Sequence, residues 1–385
     1  MDFTPHDALA EHRDAARRWA ADHLRPEWVA DERLGGLHHH AELHRILAAH
    51  GLLAAGWPPE YGGSDVDQGF ADAVFEEIHD YGLAQDGWIT TWMVLHTLLR
   101  TGTEEQKRTI VPAALRGEVI IALGYTEPGC GSDMAAARTR AVRDGSDWII
   151  DGAKMFTSTA DQATHVFLLT RTDPDKPKHR GLTFFLVPLD ADGVEIQPVH
   201  TVGGQRTNAT FYSSVRVSDS ARVGEVDGGW DVVRIAMVFE RGTRNGNHRP
   251  GLLDRVAAWA GEAELLDDPD VAEQLARLAI DEEVARLLTV RAEWITRDGG
   301  LPGVEGSMAK LYTSEAAQRQ HAALLDLIGP EAVLDQRAPD APLAGEVEFA
   351  FRNSLVDTIY GGTSEIMREI IAAGRLGLPR SRPTQ

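Results

Sequence analysis

EVIIALGY, residues 118–125, marks the point where the hydrophobic period of the chain changes. Upstream, apolar residues recur at helical spacing, as in AELHRILAAHGLLAAGW from Ala41. Thr103 to Gln106 has the T-x-x-Q form of a capping box ahead of KRTIVPAALRG. From residue 118 the apolar segments become short, β-branched and aromatic. EVIIALGY is followed by DWIIDG, HVFLLT, LTFFLVPL, GVEIQPV and ATFYSSVRV, with Gly, Asp and Pro turns between them. From Gly228 the helical period returns in GGWDVVRIAMVFERGTR, VAEQLARLAIDEEVARLLTVRAEW and SMAKLYTSEAAQRQHAALLDLI, and a last helix starts near Thr363. The order predicts an α+β chain with a helical domain at 1–117, an all-β domain at 118–224 and a second helical domain at 225–385.

The chain has 385 residues, enough for two or three domains, and 43% of them are hydrophobic, ordinary for a globular protein. No apolar run approaches the roughly 20 residues of a membrane span, so no membrane association is expected. The N-terminal MDFTPHDALAEHRDAARRWA is charged and helical and does not read as a signal peptide. A single cysteine, Cys130, excludes an internal disulfide framework and fits a reducing cytoplasm. The net charge of −21 argues against nucleic acid as a partner, since phosphate backbones need a basic face. His38, His39 and His40 point in three directions on a helix; they are expected to form a solvated helix start, and no metal site is expected.

Four stretches have the chemistry of a site. YTEPGCGSDM (125–134) leaves a strand, but its third fingerprint glycine is missing at Met134 and no βαβ unit surrounds it, so a dinucleotide fold is excluded. It is either a tight polar ligand loop or an ordinary β-domain loop. Lys154-Met155-Phe156-Thr157-Ser158 sets an aromatic beside two hydroxyls, which suits a flat heteroaromatic ligand or, equally, a core Phe with edge hydroxyls. FERGTRNG (239–246) places Glu240 after an apolar run, where a carboxylate with a raised pKa would suit a general base; otherwise Glu240-Arg241 is a surface pair. Gly361-Gly362-Thr363-Ser364 is a helix N-terminus with free N–H groups for a carbonyl oxygen or an anion.

Together these stretches carry a resemblance. YTEPGCGSDMAAARTRAVRDGSDWIIDGAKMFTS (125–158) resembles the signature stretch of the acyl-CoA dehydrogenase family. KHRGLTFFLVPLDADGVEIQPV (178–199), VRVSDSARVGEVDGGWDVVRIAMVFERG (215–242) and GGTSEIMREIIAAGRLGLPR (361–380) resemble it in the same order. The resemblance covers nearly the whole chain and is weakest at about 250–300. It implies an N-terminal helical domain, a middle β-barrel and a C-terminal four-helix bundle. It also implies FAD as cofactor, an acyl-CoA thioester as substrate, and electron-transfer flavoprotein as the usual reoxidant. The reaction implied is α,β-dehydrogenation, in which a carboxylate takes the α-proton while hydride leaves the β-carbon.

By the same resemblance, Leu123, Thr126, Phe156, Ser158, Thr363 and Glu365 match flavin-contacting positions, with Phe156 where a Trp is usual. Ser132 matches a CoA-contacting position and Arg241 an Arg near the thioester pocket. The N–H of Gly361 matches a donor to the enolate oxygen. Many members carry the catalytic glutamate where Gly361 stands; Glu240 matches the position at which a subset keeps it, and Glu240 is the expected base. The Arg-x-x-Phe-Gly motif usual near 255–270, whose Arg reaches the flavin pyrophosphate of a neighbouring subunit, is absent from DRVAAWAGEAELL. That pattern is similar to actinobacterial α2β2 subunits that oxidise steroid side-chain thioesters. A second homologous chain is therefore expected, or otherwise a homotetramer, in lipid and steroid catabolism. Two alternatives stay open: a catalytically silent partner subunit, and a flavin oxidase or N-oxygenase on the same fold. Lys176, Lys178, His179 and Arg180 either bind CoA phosphate or form a solvated hairpin tip.

Overall fold

The computed structural model describes residues 7–37, 39–242, 251–297 and 303–379, with backbone alone at 7–11, 33, 240–242 and 296–297. The chain divides into two compact units. One holds Pro5–Thr201 and Gln205–Phe239, and the other is built mainly of Glu240–Gln385 with Val202–Gly204.

The first unit opens with helices α1 (Asp7–His23), α2 (Pro26–Gly35), α3 (Ala41–Ala49), α4 (Gln68–Asp80), α5 (Asp86–Thr101) and α6 (Glu104–Leu115). The capping box at the start of α6 forms as expected. Gln106 N–H donates to Thr103 Oγ1 at 3.2 Å, and Thr103 N–H donates to Gln106 Oε1 at 3.0 Å. The amide of Gln106 is then free to donate to the Ser220 and Arg222 carbonyls at 2.8 and 2.9 Å, so one residue both starts a helix and pins it to the following sheet.

Eight strands follow: β1 (Ile121–Gly124), β2 (Arg140–Asp144), β3 (Asp147–Lys154), β4 (His165–Arg171), β5 (Leu182–Pro188), β6 (Val194–His200), β7 (Arg206–Ser218) and β8 (Arg222–Val223). They form one sheet in the order β6-β7-β3-β2-β4-β5-β8, with β1 lying parallel on β4. HVFLLT and LTFFLVPL are continuously apolar because both faces of β4 and β5 are covered. Phe167, Leu169, Leu182, Phe184 and Leu186 join the core shared with the helices, whereas Val166, Leu168, Phe185 and Val187 join Trp148, Tyr212 and Val215 in a second core. Alternation along each strand sorts residues between the two. The Phe167 and Phe184 rings stack at 4.2 Å between centroids. Strand β2 has no apolar signature of its own; only its second residue, Ala141, is buried, and it forms through a tight hairpin with β3. For that reason RAVRD was not legible as a strand.

Helix α7 (Gly229–Gly242) carries the last residues of the first unit and the first of the second. The second unit continues with α8 (Leu252–Glu262), α9 (Pro269–Arg297), α10 (Val304–Ile328), α11 (Glu346–Ser354) and α12 (Ser364–Arg375). Helix α10 packs against α9, α11 and α12. Leu253, Val256, Leu278, Leu324, Val347 and Ala350 centre this unit's core. Among the described residues, no helix is long and apolar enough to cross a membrane, and no cluster of three or more His, Cys, Asp or Glu side chains could hold a metal.

The histidine run differs from expectation. His38 lies outside the described residues, but His39 is only 1% exposed and His40 is buried too, so the run is not a solvated helix start. His39 is bridged to Gln85 and its ring lies 4.8 Å from that of His44, which is equally buried; the pairing carries both imidazoles inward. Burial, with some help from His44 and against Asp86, pushes His39 down to about 3; burial pushes His44 down to about 4. Both lie below the ordinary 6.5, so the unfolded chain takes up these protons first as pH falls. Stability is complete above pH 6.5 and is lost below it, by about 1.4 kcal/mol per histidine at pH 5.5. Thermal melts should lose roughly 5–10 °C between pH 7.5 and 5.5. A flat profile would mean that these imidazoles are already charged or already partnered in the fold.

Candidate active site

In the first unit, four of the expected residues come together. Leu123 is half-buried in β1, paired with Phe167 of β4. Thr126 follows directly, and its carbonyl accepts the Met155 N–H at 2.9 Å, which brings the end of β1 to the segment after β3. Phe156 is 60% exposed and holds φ +59°, a left-handed conformation uncommon for an aromatic residue. The neighbouring backbone enforces it. Thr157 N–H donates to the Asn208 carbonyl at 2.8 Å, while the Asn208 amide donates back to the Thr157 carbonyl and to Asp161. Ser158 Oγ is 3.1 Å from Thr207 Oγ1. A strained backbone that leaves the ring exposed rules out a core position for Phe156. The reading of Phe156 as a core residue is thereby corrected.

The 125–139 loop is held by a pair that the motif reading did not single out. Lys154, fully buried at the end of β3, donates to Glu127 Oε1 at 2.8 Å and to the Tyr125 carbonyl at 3.3 Å. Glu127 also accepts the Arg138 and Thr139 N–H groups at 2.7 and 2.8 Å. Burial alone would raise the Glu127 pKa, but the Lys154 charge and these hydrogen bonds reverse the effect and hold the carboxyl below its ordinary range. Arg171 clamps the loop from outside by donating to the Ala135, Ala137 and Lys178 carbonyls. Ser132 is left exposed on this fixed loop. The only advance sign of the pair was a lysine at the inner end of an apolar strand.

The basic hairpin tip is engaged locally. Lys178 pairs with Asp133 at 2.7 Å, Lys176 pairs with Asp227 at 2.6 Å and with Asp173, and His179 lies edge-on to Trp230. Exposed pairs of this kind are worth little and leave the tip accessible.

In the second unit, Gly361 and Gly362 both adopt left-handed φ, +63° and +96°. The left-handed φ of Gly362 favours glycine there, while a Cβ would only meet the flexible end of Met367. Among the described residues, no backbone hydrogen bond takes the Gly361 N–H. Thr363 caps α12 by accepting the Ile366 N–H at 3.3 Å. Thr363, Ser364, Glu365 and Arg368 line a cavity of about 460 Å³ together with Gln318 and Thr358. The Glu365 carboxyl is lowered by its own backbone N–H and by Thr363, as befits an acid in the first turn of a helix. Arg255, the arginine of the DRVAAW segment, forms a two-point pair with Glu346 at 2.7 and 3.1 Å. Glu240 and Arg241 lie in α7, and their side chains are outside the described residues.

Three family models cover the chain: acyl-CoA dehydrogenase N-terminal domain at 6–118, middle domain at 122–216 and C-terminal domain at 227–376. The chain belongs to the acyl-CoA dehydrogenase family. Acyl-CoA dehydrogenase FadE26 of Mycobacterium tuberculosis is 38% identical over 348 residues, covering 86% of each chain. Among solved structures, the Tcur3481-Tcur3483 steroid ACAD matches with a TM-score of 0.88 and 37% identity, covering 99% of this chain and 100% of that one. The ChsE4-ChsE5 complex from Mycobacterium tuberculosis matches with a TM-score of 0.89 and 35% identity, again over 99% and 100%. The dehydrogenase thus has the helical, middle and C-terminal domains that the period changes pointed to, and it is an oxidoreductase of acyl-CoA thioesters.

Proposed function

We propose that the dehydrogenase catalyses FAD-dependent α,β-dehydrogenation of a bulky steroid side-chain acyl-CoA, as one subunit of a heteromer with a second homologous chain. The observation that carries this reading is its likeness, over essentially full length, to a solved enzyme described as a steroid ACAD and to a complex of two chains. The segments 1–117, 118–224 and 225–385 are its working domains.

The residues present fit a flavin. In the first unit, Phe156 offers an exposed ring face on a segment whose Met155 N–H donates to the Thr126 carbonyl, with Ser158 close by in the chain; in the second unit, Thr363 and Glu365 line the cavity at the start of α12. The chemistry FAD supplies when bound is acceptance of the β-hydride. In this reading the Glu240 carboxylate receives the thioester α-proton, and the Gly361 N–H binds the enolate oxygen as charge develops there. Ser132 and Arg241 bind the CoA thioester. A glycine at position 361 also leaves volume near the reacting carbons that suits a branched or ring-bearing acyl group. Electron-transfer flavoprotein is the proposed acceptor. Because Arg255 is committed to Glu346 and the usual motif is absent, the partner chain is proposed to complete the flavin site. The same observation favours a second reading, in which this chain only completes its partner's site.

The test is a visible spectrum of the purified chain, alone and co-purified with a homologous chain, followed by anaerobic titration with steroid side-chain and straight-chain acyl-CoA. Flavin absorbance that needs the partner, and that bleaches preferentially with the steroid thioester, is the expected outcome. Bound flavin that no thioester bleaches would overturn the proposal, and clear preference for straight chains would overturn the bulky-substrate part.

A further inference from the structure

A turn built on two left-handed glycines is intrinsically loose, since glycine has the largest backbone freedom to lose. A donor to a developing oxyanion must nevertheless be held within about half an ångström of its working position. Something outside the turn has to hold it, and helix α10 reaches it at two points.

At the first point, Lys310 Nζ donates to the Asp357 carbonyl and lies 4.8 Å from the centroid of the Tyr360 ring. A cation on a carbonyl makes a strong hydrogen bond, and a cation over a ring adds attraction. One side chain therefore grips both ends of the Asp357–Tyr360 segment, and Tyr360 is bonded directly to the nitrogen of Gly361. At the second point, Gln318 Nε2 donates to the Ser354 carbonyl at 3.0 Å, the Leu355 carbonyl at 3.3 Å and Thr358 Oγ1 at 3.1 Å. Residues 310 and 318 are about 12 Å apart along the helix and about 80° apart around it, because eight residues make about 2.2 turns, so the two ties reach the segment from different angles. The far side of the turn is closed by Ser364 N–H donating to the Thr358 carbonyl at 3.0 Å.

We infer that Lys310 and Gln318 are positioning residues for the reaction, holding the 354–360 segment so that the Gly361 N–H is fixed where the thioester oxygen binds. The inference rests on the reading that Gly361 serves the chemistry of this chain. Lys310 acts through the turn; Gln318 acts through it and also lines the cavity at the start of α12. Loss of Lys310 should therefore lower turnover with little change in substrate binding, because the pocket walls stay in place while the donor drifts.

The experiment compares Lys310→Met, Lys310→Arg and Gln318→Leu. Backbone hydrogen exchange of the peptide 357–367 is followed in the ligand-free chain, and kcat and KM are measured in the reconstituted enzyme with its cognate acyl-CoA. For Lys310→Met, exchange of the turn should rise at least tenfold while peptides from α8 and α9 keep their rates. Its kcat should fall about 10- to 100-fold, the penalty of a donor misplaced by about an ångström, with KM within about threefold. Lys310→Arg, which keeps the cation and a donor, should recover most of both, and Gln318→Leu should show a smaller loss of the same kind. Unchanged turn exchange and kcat in Lys310→Met would overturn the inference. So would a joint fall of kcat and melting temperature that Lys310→Arg fails to rescue. If Glu240→Gln keeps full activity, the reading of this chain as the catalytic one fails instead, and the exchange data still decide whether Lys310 holds the turn.

Discussion

Glu240→Gln should lower dehydrogenation of the cognate thioester by about a thousandfold, while flavin absorbance and thioester binding stay near parental levels. Removing a positioned general base costs about 10²–10⁴ in rate, and glutamine keeps the size and polarity of glutamate while losing the basic oxygen. The α-hydrogen of a thioester is too weakly acidic to leave without a base. Position 361 is a glycine, so this chain has no carboxylate there to take over. Stopped-flow bleaching at saturating acyl-CoA isolates the chemical step from reoxidation. A rate within about tenfold of the parent would show that another chain supplies the base, and the silent-partner reading would replace the catalytic one.

Lys154→Met should destabilise the first unit by roughly 3–5 kcal/mol, the usual cost of stranding one member of a buried ion pair. Methionine matches the lysine stem in length, so the loss is electrostatic rather than a cavity. Glu127 would keep its two backbone donors from Arg138 and Thr139 but would lose its countercharge in a nearly dry site. The double variant Glu127→Gln, Lys154→Met should recover a good part of the loss, because it removes the uncompensated charge. Denaturant titration of the two single variants and the double variant measures the coupling. If Lys154→Met stays within about 1 kcal/mol of the parent, the pair is not what holds the 125–139 loop.

The fold was legible where the chain repeats a simple rule. Apolar residues three and four apart marked α3 and α10, T-x-x-Q marked the start of α6, and the apolar runs marked β4 and β5. The exceptions were elements whose stability is borrowed. Arg140–Asp144 is a strand because β3 and β4 lie on either side of it, and the chain at His39 and His40 is carried inward by the pairing of His39 with Gln85, a contact 46 positions away from His39. No local pattern encodes either. The site was legible in part. The exposure of Phe156 and the left-handed Gly361 and Gly362 agree with a ligand-facing role, but the buried Glu127–Lys154 pair and the ties from Lys310 and Gln318 depend on chain crossings that spacing cannot show. A lysine in an apolar strand and a glutamine inside a long helix are ordinary residues until their partners are known.

The two faces of β4 and β5 serve different cores, and this limits how the chain can change over evolutionary time. Phe167, Leu169, Phe184 and Leu186 face the helices of the first unit, so the middle segment is not a module that can be cut out and recombined. Isolated from residues 7–115, it would turn a continuous aromatic and aliphatic face to water and associate through it. Helices and sheet must therefore melt together, and a substitution in β4 or β5 is judged by two packing environments at once. Variation that tunes the substrate is consequently more easily accepted in the loops that leave these strands than in the strands themselves.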